Sequence, residues 1–450
     1  MRDERVKVIK GESSGPRRWI FRSIISLKYW HGGNMNQFDR MIFKQKSTFN
    51  ILALCFIWAV IIIGFQHIVS ARLKLVRPDD ALSWTASSTL EDPFEKVYAK
   101  DAGFYNSYRS EHAAWDSGFY LSIATAGYED PVMSRVTTTE GKLVSKNYAF
   151  MPIYPLLIKT VTYFLSIVPF LPETELPVYA GILVSFLGMC AGALSIFEIV
   201  KMTGGNEDDG LKSVFYMLIF PTGFFGLQVY TEGLFIGLSF ACLALIRQKN
   251  WLAASVLAVA AFLTRIVGIG LYLPLAIAII TDIRLSGTDS KLKYKIAGLL
   301  IPLIVILTWY FSPLGENFFL VEKNFFGRQV LSFQASILIW LRVISQMGLN
   351  PETTVYFALE FTGIALALFS CLLTIRRFQL ESIFGITVIL ISVFSSIPQS
   401  MLRYMLAVPN IYFLLGMLGR NKYFDRAWTL ASILILGILI TLFTFDMWVG

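Results

Sequence analysis

The chain has 450 residues, of which 55% are hydrophobic and only 16% charged, with a mean hydropathy of +0.60. A soluble domain carries about 25% charged residues, so a water-soluble globular protein is excluded. The net charge is +8, and in an apolar helical chain such an excess orients loops rather than binding nucleic acid. Cys55, Cys190, Cys242 and Cys371 are far apart in apolar runs with no Cys/His cluster. Neither a disulfide framework nor a metal site follows from them, and no cofactor is expected.

Residues 1–47 hold eleven Lys/Arg against four acids. Their one apolar piece, Trp19–Leu27, is broken by Arg22, too short for a signal peptide. This reads as a basic cytoplasmic tail touching anionic headgroups, followed by a membrane domain over 48–450. Phe49–Val69 is the first span. The segment after it, 71–148, is polar and carries Asp116, and the positive-inside rule places it outside the cytoplasm. Ala113–Gly127 has helical apolar spacing that Gly127 ends, which predicts a short helix lying on the membrane surface. Ser134–Lys146 reads as a flexible excursion.

Phe150–Phe170 is apolar but holds Pro152, Pro155 and Lys159. The basic loops Arg247–Lys249, Arg284–Lys295, Arg376–Arg377 and Arg420–Arg426 all fall on the cytoplasmic side only if this stretch returns to its own side. It is therefore read as a juxtamembrane or re-entrant helix, tolerated where protein shields it. The remaining spans are Val178–Val200, Ser213–Val229, Thr231–Ile246, Trp251–Leu263, Ile266–Ile280, Ala297–Phe311, Val355–Ile375, Ile383–Ile397, Tyr404–Leu418 and Leu430–Phe443. With Phe49–Val69 they predict an all-α polytopic protein of about eleven transmembrane helices. Thr231 and Arg265 mark joints between short apolar pieces, a feature of helices that line cavities. Leu314–Gly348 is a second outward segment, with Phe clusters around Glu322, Lys323 and Arg328. Asp208 and Asp209 read as an ordinary turn.

Ionisable groups at membrane depth are costly and commonly functional. On this topology Asp116, Glu232, Arg265 and Arg403 share the outward face. A carboxylate beside two guanidiniums suits a reaction in which Asp116 takes a proton from a hydroxyl nucleophile and Arg265 and Arg403 hold a phosphate. The plainer readings are a helix cap or a solvated acid for Asp116 and interfacial snorkelling for the arginines. Glu232 reads first as a cap of its own helix. His112, one turn before Asp116, reads first as structural. His112, Glu232, Trp115, Tyr154 and Tyr404 are candidates for substrate contact.

Trp115-Asp116 with Leu121-Ser122-Ile123-Ala124 and Gly127-Tyr128 resembles the first luminal loop of the PIG-V family. These are the GPI mannosyltransferase II enzymes and their bacterial relatives. Phe150-Met151-Pro152-Ile153-Tyr154-Pro155 is similar to the family's Phe-Phe-Pro-x-Tyr-Pro element. Phe220-Pro221-Thr222-Gly223-Phe224-Phe225 with Tyr230-Thr231-Glu232, then Leu263-Thr264-Arg265 and Arg403-Tyr404, also fit, so that the likeness covers residues 48–420. Two positions depart from the pattern: Ala114 stands where the family often has a basic residue, and Met151 replaces the second Phe.

The resemblance implies a GT-C fold and transfer of a sugar, typically mannose, from a polyprenyl phosphate, with inversion and with Asp116 as base. The partners are then the lipid-linked donor, a lipid or glycan acceptor and the membrane. The absence of an Asn-x-Ser/Thr sequon is in line with a bacterial cytoplasmic membrane rather than the endoplasmic reticulum. A different donor sugar, such as arabinose or glucose, and a lipid or solute transporter or flippase are the alternatives.

Overall fold

The computed structural model describes residues 37–73, 111–138, 141–286, 291–329, 331–395 and 398–449, with side chains from Lys46 onward. Residues 1–36 of the basic tail and 74–110 of the first loop lie outside them. The architecture is all-α apart from one small hairpin, and six helical stretches among the described residues are long and apolar enough to cross a membrane. They are Lys46–Arg72, Glu173–Met202, Ile266–Leu285, Leu292–Tyr310, Pro351–Thr374 and Lys422–Thr444. Large apolar side chains such as Phe56, Ile61, Phe369 and Leu434 stand exposed along them. On helices of this length that is a lipid-facing surface, and the chain is an integral membrane protein.

Helix α1 (Gln37–Arg72) is followed by the first-loop helix α2 (Ser117–Ala126), which Gly127 ends at φ 87. The expected short helix is present, and it is packed within the protein: Ser117 through Ala124 are all buried against neighbouring elements. Within the expected excursion at 134–146, of which residues 139–140 lie outside the described residues, β1 (Arg135–Thr137) and β2 (Leu143–Ser145) pair antiparallel, Val136 opposite Val144. Asp130 and Asn147 are buried below this hairpin around Ser122, which donates to Asp130 at 2.7 Å and accepts from Asn147 at 2.8 Å.

Helix α3 (Ile153–Leu165) begins after Pro152. Its thirteen residues reach about 20 Å, less than the hydrocarbon core of about 30 Å. It leans on α4 (Leu176–Met202). Helix α5 (Glu207–Leu218) starts with a reciprocal capping box between Asn206 and Asp209, so the expected turn at Asp208-Asp209 is a helix start. The span expected over Ser213–Val229 is broken. Pro221 has no N–H to continue a helix, and the chain turns through Gly223–Leu227. That turn delivers Tyr230 and Glu232 to the start of α6 (Glu232–Arg247).

Helix α6 lies inside the bundle, with Phe235, Phe240 and Leu243 buried. Its contact with α4 is backbone on backbone: a Cβ on Gly188 meets Gly233 O at 2.4 Å, and one on Gly237 meets Gly188 O at 2.4 Å. Small residues at such crossings let apolar helices approach without side chains between them. The contact fixes where Glu232 sits.

Then follow α7 (Trp251–Phe262), a tight turn over Ile266–Leu271, α8 (Tyr272–Ser286), α9 (Leu292–Tyr310) and α10 (Pro313–Asn324). Helix α11 (Phe333–Gln346) precedes α12 (Pro351–Thr374) and α13 (Gln379–Val393). The span expected over Tyr404–Leu418 is two pieces, α14 (Met401–Met405) and α15 (Pro409–Leu418). Val408 is extended ahead of Pro409, as residues before proline prefer. Helix α16 (Lys422–Thr444) ends the bundle.

Candidate active site

The joints at Thr231 and Arg265 and the turn bearing α14 meet at a cavity of about 170 Å³. Its polar lining comes from the turn before α2, the joint at Arg265, the end of α10 and the turn bearing α14. Its apolar wall includes Phe319, Phe326, Val267 and Ile391.

Asp116 is held by its backbone. Trp115 before it takes a left-handed φ of 53, uncommon for a bulky residue. Tyr230 latches the turn: its hydroxyl donates to Ala114 O at 3.1 Å and accepts from Asp116 N at 3.3 Å. The Asp116 carboxylate stands at the N-terminus of α2 but makes no capping hydrogen bond. It turns instead to Arg403, whose Nη1 lies 3.1 Å from Oδ2.

Glu232 bridges the two arginines. Its Oε1 accepts from Arg265 Nη1 and lies 3.4 Å from Arg403 Nε. Arg265 Nη1 also donates to Thr231 Oγ1 at 3.0 Å. The cap reading of Glu232 is therefore incomplete: it begins α6 and it ties two cations together. Tyr404 is surrounded by three guanidiniums, those of Arg265, Arg403 and Arg328, at 5.0, 5.3 and 5.8 Å from its ring centre. A ring face so placed favours cations.

Exposure differs among these groups, although Arg403 also lines the cavity. The Asp116 and Arg265 side chains are 19% and 18% exposed, whereas those of Arg403 and Glu232 are 3% and 4%. Arg403 is already met by two carboxylates, so it is an anchor within the protein before it is a phosphate ligand.

Of the other expected residues, Trp115 and Tyr404 line the cavity, while His112 and Tyr154 stand off it. His112 Nδ1 lies 3.3 Å from Gln228 Oε1, and burial lowers its basicity, with Gln228 opposing. Tyr154 is fully buried. Its hydroxyl donates to Gly181 O at 3.0 Å and lies 2.9 Å from Ser185 Oγ, so it staples α3 to α4. It contacts the site only through its ring, edge-on to Tyr120 at 5.1 Å.

Two lining residues, Glu322 and Arg328, were visible in the sequence only as charges among phenylalanines. Arg328 makes no hydrogen bond or close ion pair through its guanidinium among the described residues. It lies over the Phe326 and Tyr404 rings and interacts with Glu322 and Asp116 at longer range. Burial pushes the Glu322 carboxyl up to about 7, with Arg328 opposing and Asp116 adding to the rise. Among the described residues no group of His, Cys, Asp and Glu is placed to hold a metal ion.

The fold and site thus define a polytopic helical membrane protein with a charged cavity walled by aromatics. No protein-family profile matches the sequence, and no curated protein matches it. Among solved structures it is similar to ArnT from Cupriavidus metallidurans bound to undecaprenyl phosphate, at 14% identity over 76% of this chain and 74% of that one, TM-score 0.41. It is also similar to the Archaeoglobus fulgidus oligosaccharyltransferase in complex with Zn and sulfate, at 13% identity over 82% of this chain, TM-score 0.44. The same organism's AglB, in complex with an inhibitory peptide and a dolichol-phosphate, gives 12% identity over 86% of this chain, TM-score 0.39. This chain spans about half of those archaeal proteins, 53% and 56%.

Proposed function

We propose that this chain is a GT-C membrane glycosyltransferase. It moves a sugar, mannose by the PIG-V resemblance, from a polyprenyl phosphate to an acceptor hydroxyl with inversion, on the extracytoplasmic face of a bacterial membrane. The observation that carries the reading is one cavity that presents a reachable carboxylate, Asp116, together with a guanidinium, Arg328, that no carboxylate closely pairs. Asp116 accepts the acceptor's proton through the oxygen that Arg403 leaves open. The acceptor oxygen bonds to the anomeric carbon as the bond from that carbon to the phosphate oxygen breaks. The electron pair leaves with the phosphate, whose charge Arg328 and Arg265 meet.

Aimed donors in an enclosed site stabilise such charge by several kcal/mol. Arg403, sunk between Asp116 and Glu232, aims the base rather than the leaving group. The Phe-rich wall of α10 takes the first isoprene units, and the lipid-facing helices take the rest.

The test is turnover of purified protein in nanodiscs with undecaprenyl-phosphate mannose, glucose or arabinose and a membrane-lipid extract as acceptor source. Asp116→Asn is expected to lower turnover by about 10²- to 10⁴-fold, the span of general-base contributions, with donor binding little changed. Near-normal turnover in that variant sinks the assignment of Asp116. Vectorial transport of the donor with no transfer in the wild type favours a flippase instead.

A further inference from the structure

Arg403 sits on a helix of only five residues, α14, whose first amides have no partners within the helix. Ser400, just before it, takes a left-handed φ of 66, a conformation that persists in a serine only where surroundings enforce it. Two side chains of α12 supply the enforcement. Tyr356 Oη accepts from Ser400 N at 3.1 Å, and Glu360 Oε2 accepts from Leu402 N. One turn further on, a Cβ on Gly363 meets Leu402 Cδ1 at 2.7 Å. Positions 356, 360 and 363 lie on one helical face, and that face is the seat of α14.

The other end of the contact reaches Asp116. Trp448 Nε1 donates to Tyr356 Oη at 3.0 Å, and the Trp448 ring stands edge-on to Trp115 at 5.0 Å. Trp115 is the left-handed residue directly before Asp116. The two strained turns that present Asp116 and Arg403 are therefore joined through one hydroxyl, that of Tyr356. Glu360 is 1% exposed within a membrane-length helix, a costly place for a carboxylate. It accepts from the amide one residue before Arg403 and interacts with the Tyr356 hydroxyl and the Ser400 backbone, so the two braces act together. A serine or asparagine suffices for packing glue between helices; an acid aimed at an amide of this turn answers a need for fixed geometry.

We infer that Tyr356 and Glu360, with Trp448, are positioning residues that hold Asp116 and Arg403 at their separation and aim. The kinetic part rests on the glycosyl-transfer reading of the cavity; the structural part does not. The full-length protein in nanodiscs is compared with Tyr356→Phe, Glu360→Leu and Glu360→Gln. Two readouts are taken: deuterium uptake over residues 398–405, and kcat and KM for undecaprenyl-phosphate mannose, or whichever of the sugars above the wild type turns over.

The first two variants are expected to speed exchange over 398–405. They are expected to lower kcat by about 10- to 100-fold, the cost of roughly 1 Å of misplacement, with KM close to wild type. Glu360→Gln keeps an acceptor for Leu402 N and is expected to restore most of kcat. Loss of folded protein in Glu360→Leu leaves Tyr356→Phe, which removes a single oxygen, to carry both readouts. Unchanged exchange in both variants overturns the brace. Faster exchange with wild-type kcat overturns its positioning role. A wild type that turns over no such donor sinks the reading of the cavity instead, and exchange alone then decides the brace.

Discussion

Helix α6 offers Arg247 to Glu381 at its C-terminal end and Glu232 to two arginines at its N-terminal end. The first contact is closed. Arg247 Nη2 donates to Glu381 Oε2 at 2.6 Å and Nε donates to the other oxygen, so one cation and one anion satisfy each other in a bidentate pair. Lys249, Asp282 and Lys295 form a second set nearby, with Asp282 2.7 Å from Lys249 and 2.8 Å from Lys295. The N-terminal contact is open. One Glu232 oxygen serves both Arg265 and Arg403, and the other has no hydrogen-bond partner among the described residues. Asp116 faces the cavity with one oxygen, and Arg328 has rings for neighbours. The same residue types that lock one end of the helix leave Asp116 and Arg328 facing the cavity at the other.

The largest effects test that division directly. Asp116→Asn acts on turnover and leaves the fold standing. Glu381→Ala acts in reverse: breaking one side of a buried pair costs about 3–5 kcal/mol, read as a lower unfolding temperature in detergent. Turnover per folded molecule is expected to stay near wild type. A Glu381→Ala protein that is fully stable but inactive breaks the comparison.

Next comes Arg328→Gln. A charge-assisted hydrogen bond is worth about 1.5–3 kcal/mol, so kcat/KM for the donor is expected to fall about 10- to 100-fold, through a higher KM for the anionic donor and a lower kcat as charge develops on the leaving phosphate. Arg403→Lys keeps a charge but loses the fork that reaches both Asp116 and Glu232, and is expected to lower kcat more than it raises KM. A donor KM that rises in Arg403→Lys and stays at wild type in Arg328→Gln reverses their roles. Either result is read from initial rates against donor concentration.

How far this arrangement is legible in the sequence depends on where each signal lives. Arg265 and Arg403 stand out because each is a charge inside an apolar run, and Asp116 because it sits among aromatics in the polar segment after the first span. The joints at Thr231 and Arg265 stand out because short apolar pieces meet there without a loop. Breaks at Pro221 and Pro409 were written in the chain, yet the surrounding hydrophobicity is continuous enough to read as uninterrupted spans. Burial of α2 was not legible: its period fits a surface helix as well as a core one, and only the residues packed on it decide. Tyr154 shares a motif with cavity residues, but its hydroxyl meets α4, a contact that no local spacing reports. Glu322 and Arg328 reach Asp116 across some two hundred residues of chain, so their charge was visible and their place was not.

The smallest effect is the most diagnostic of charge balance in the cavity. The Glu322 carboxyl is raised from 4.5 to about 7, so it holds its proton in the folded protein at pH values where an exposed glutamate has lost it. The sign for stability follows: this group's contribution is complete below 4.5 and is lost as the pH rises through about 7. The sign for ligand binding runs the same way. Below about 7 a neutral Glu322 leaves the Arg328 charge uncompensated and available to a phosphate, and above it the new anion competes. Affinity for undecaprenyl-phosphate mannose, a phosphodiester whose single charge does not titrate in this range, is therefore expected to fall as the pH is raised from 6 to 8, by less than about tenfold, since one unit of pKa is worth about 1.4 kcal/mol. Glu322→Gln removes the titrating group without removing its bulk, and the profile over that range is expected to become flat at the low-pH affinity. If the slope survives in Glu322→Gln, the proton belongs to another group and Arg328 is not held in check by Glu322.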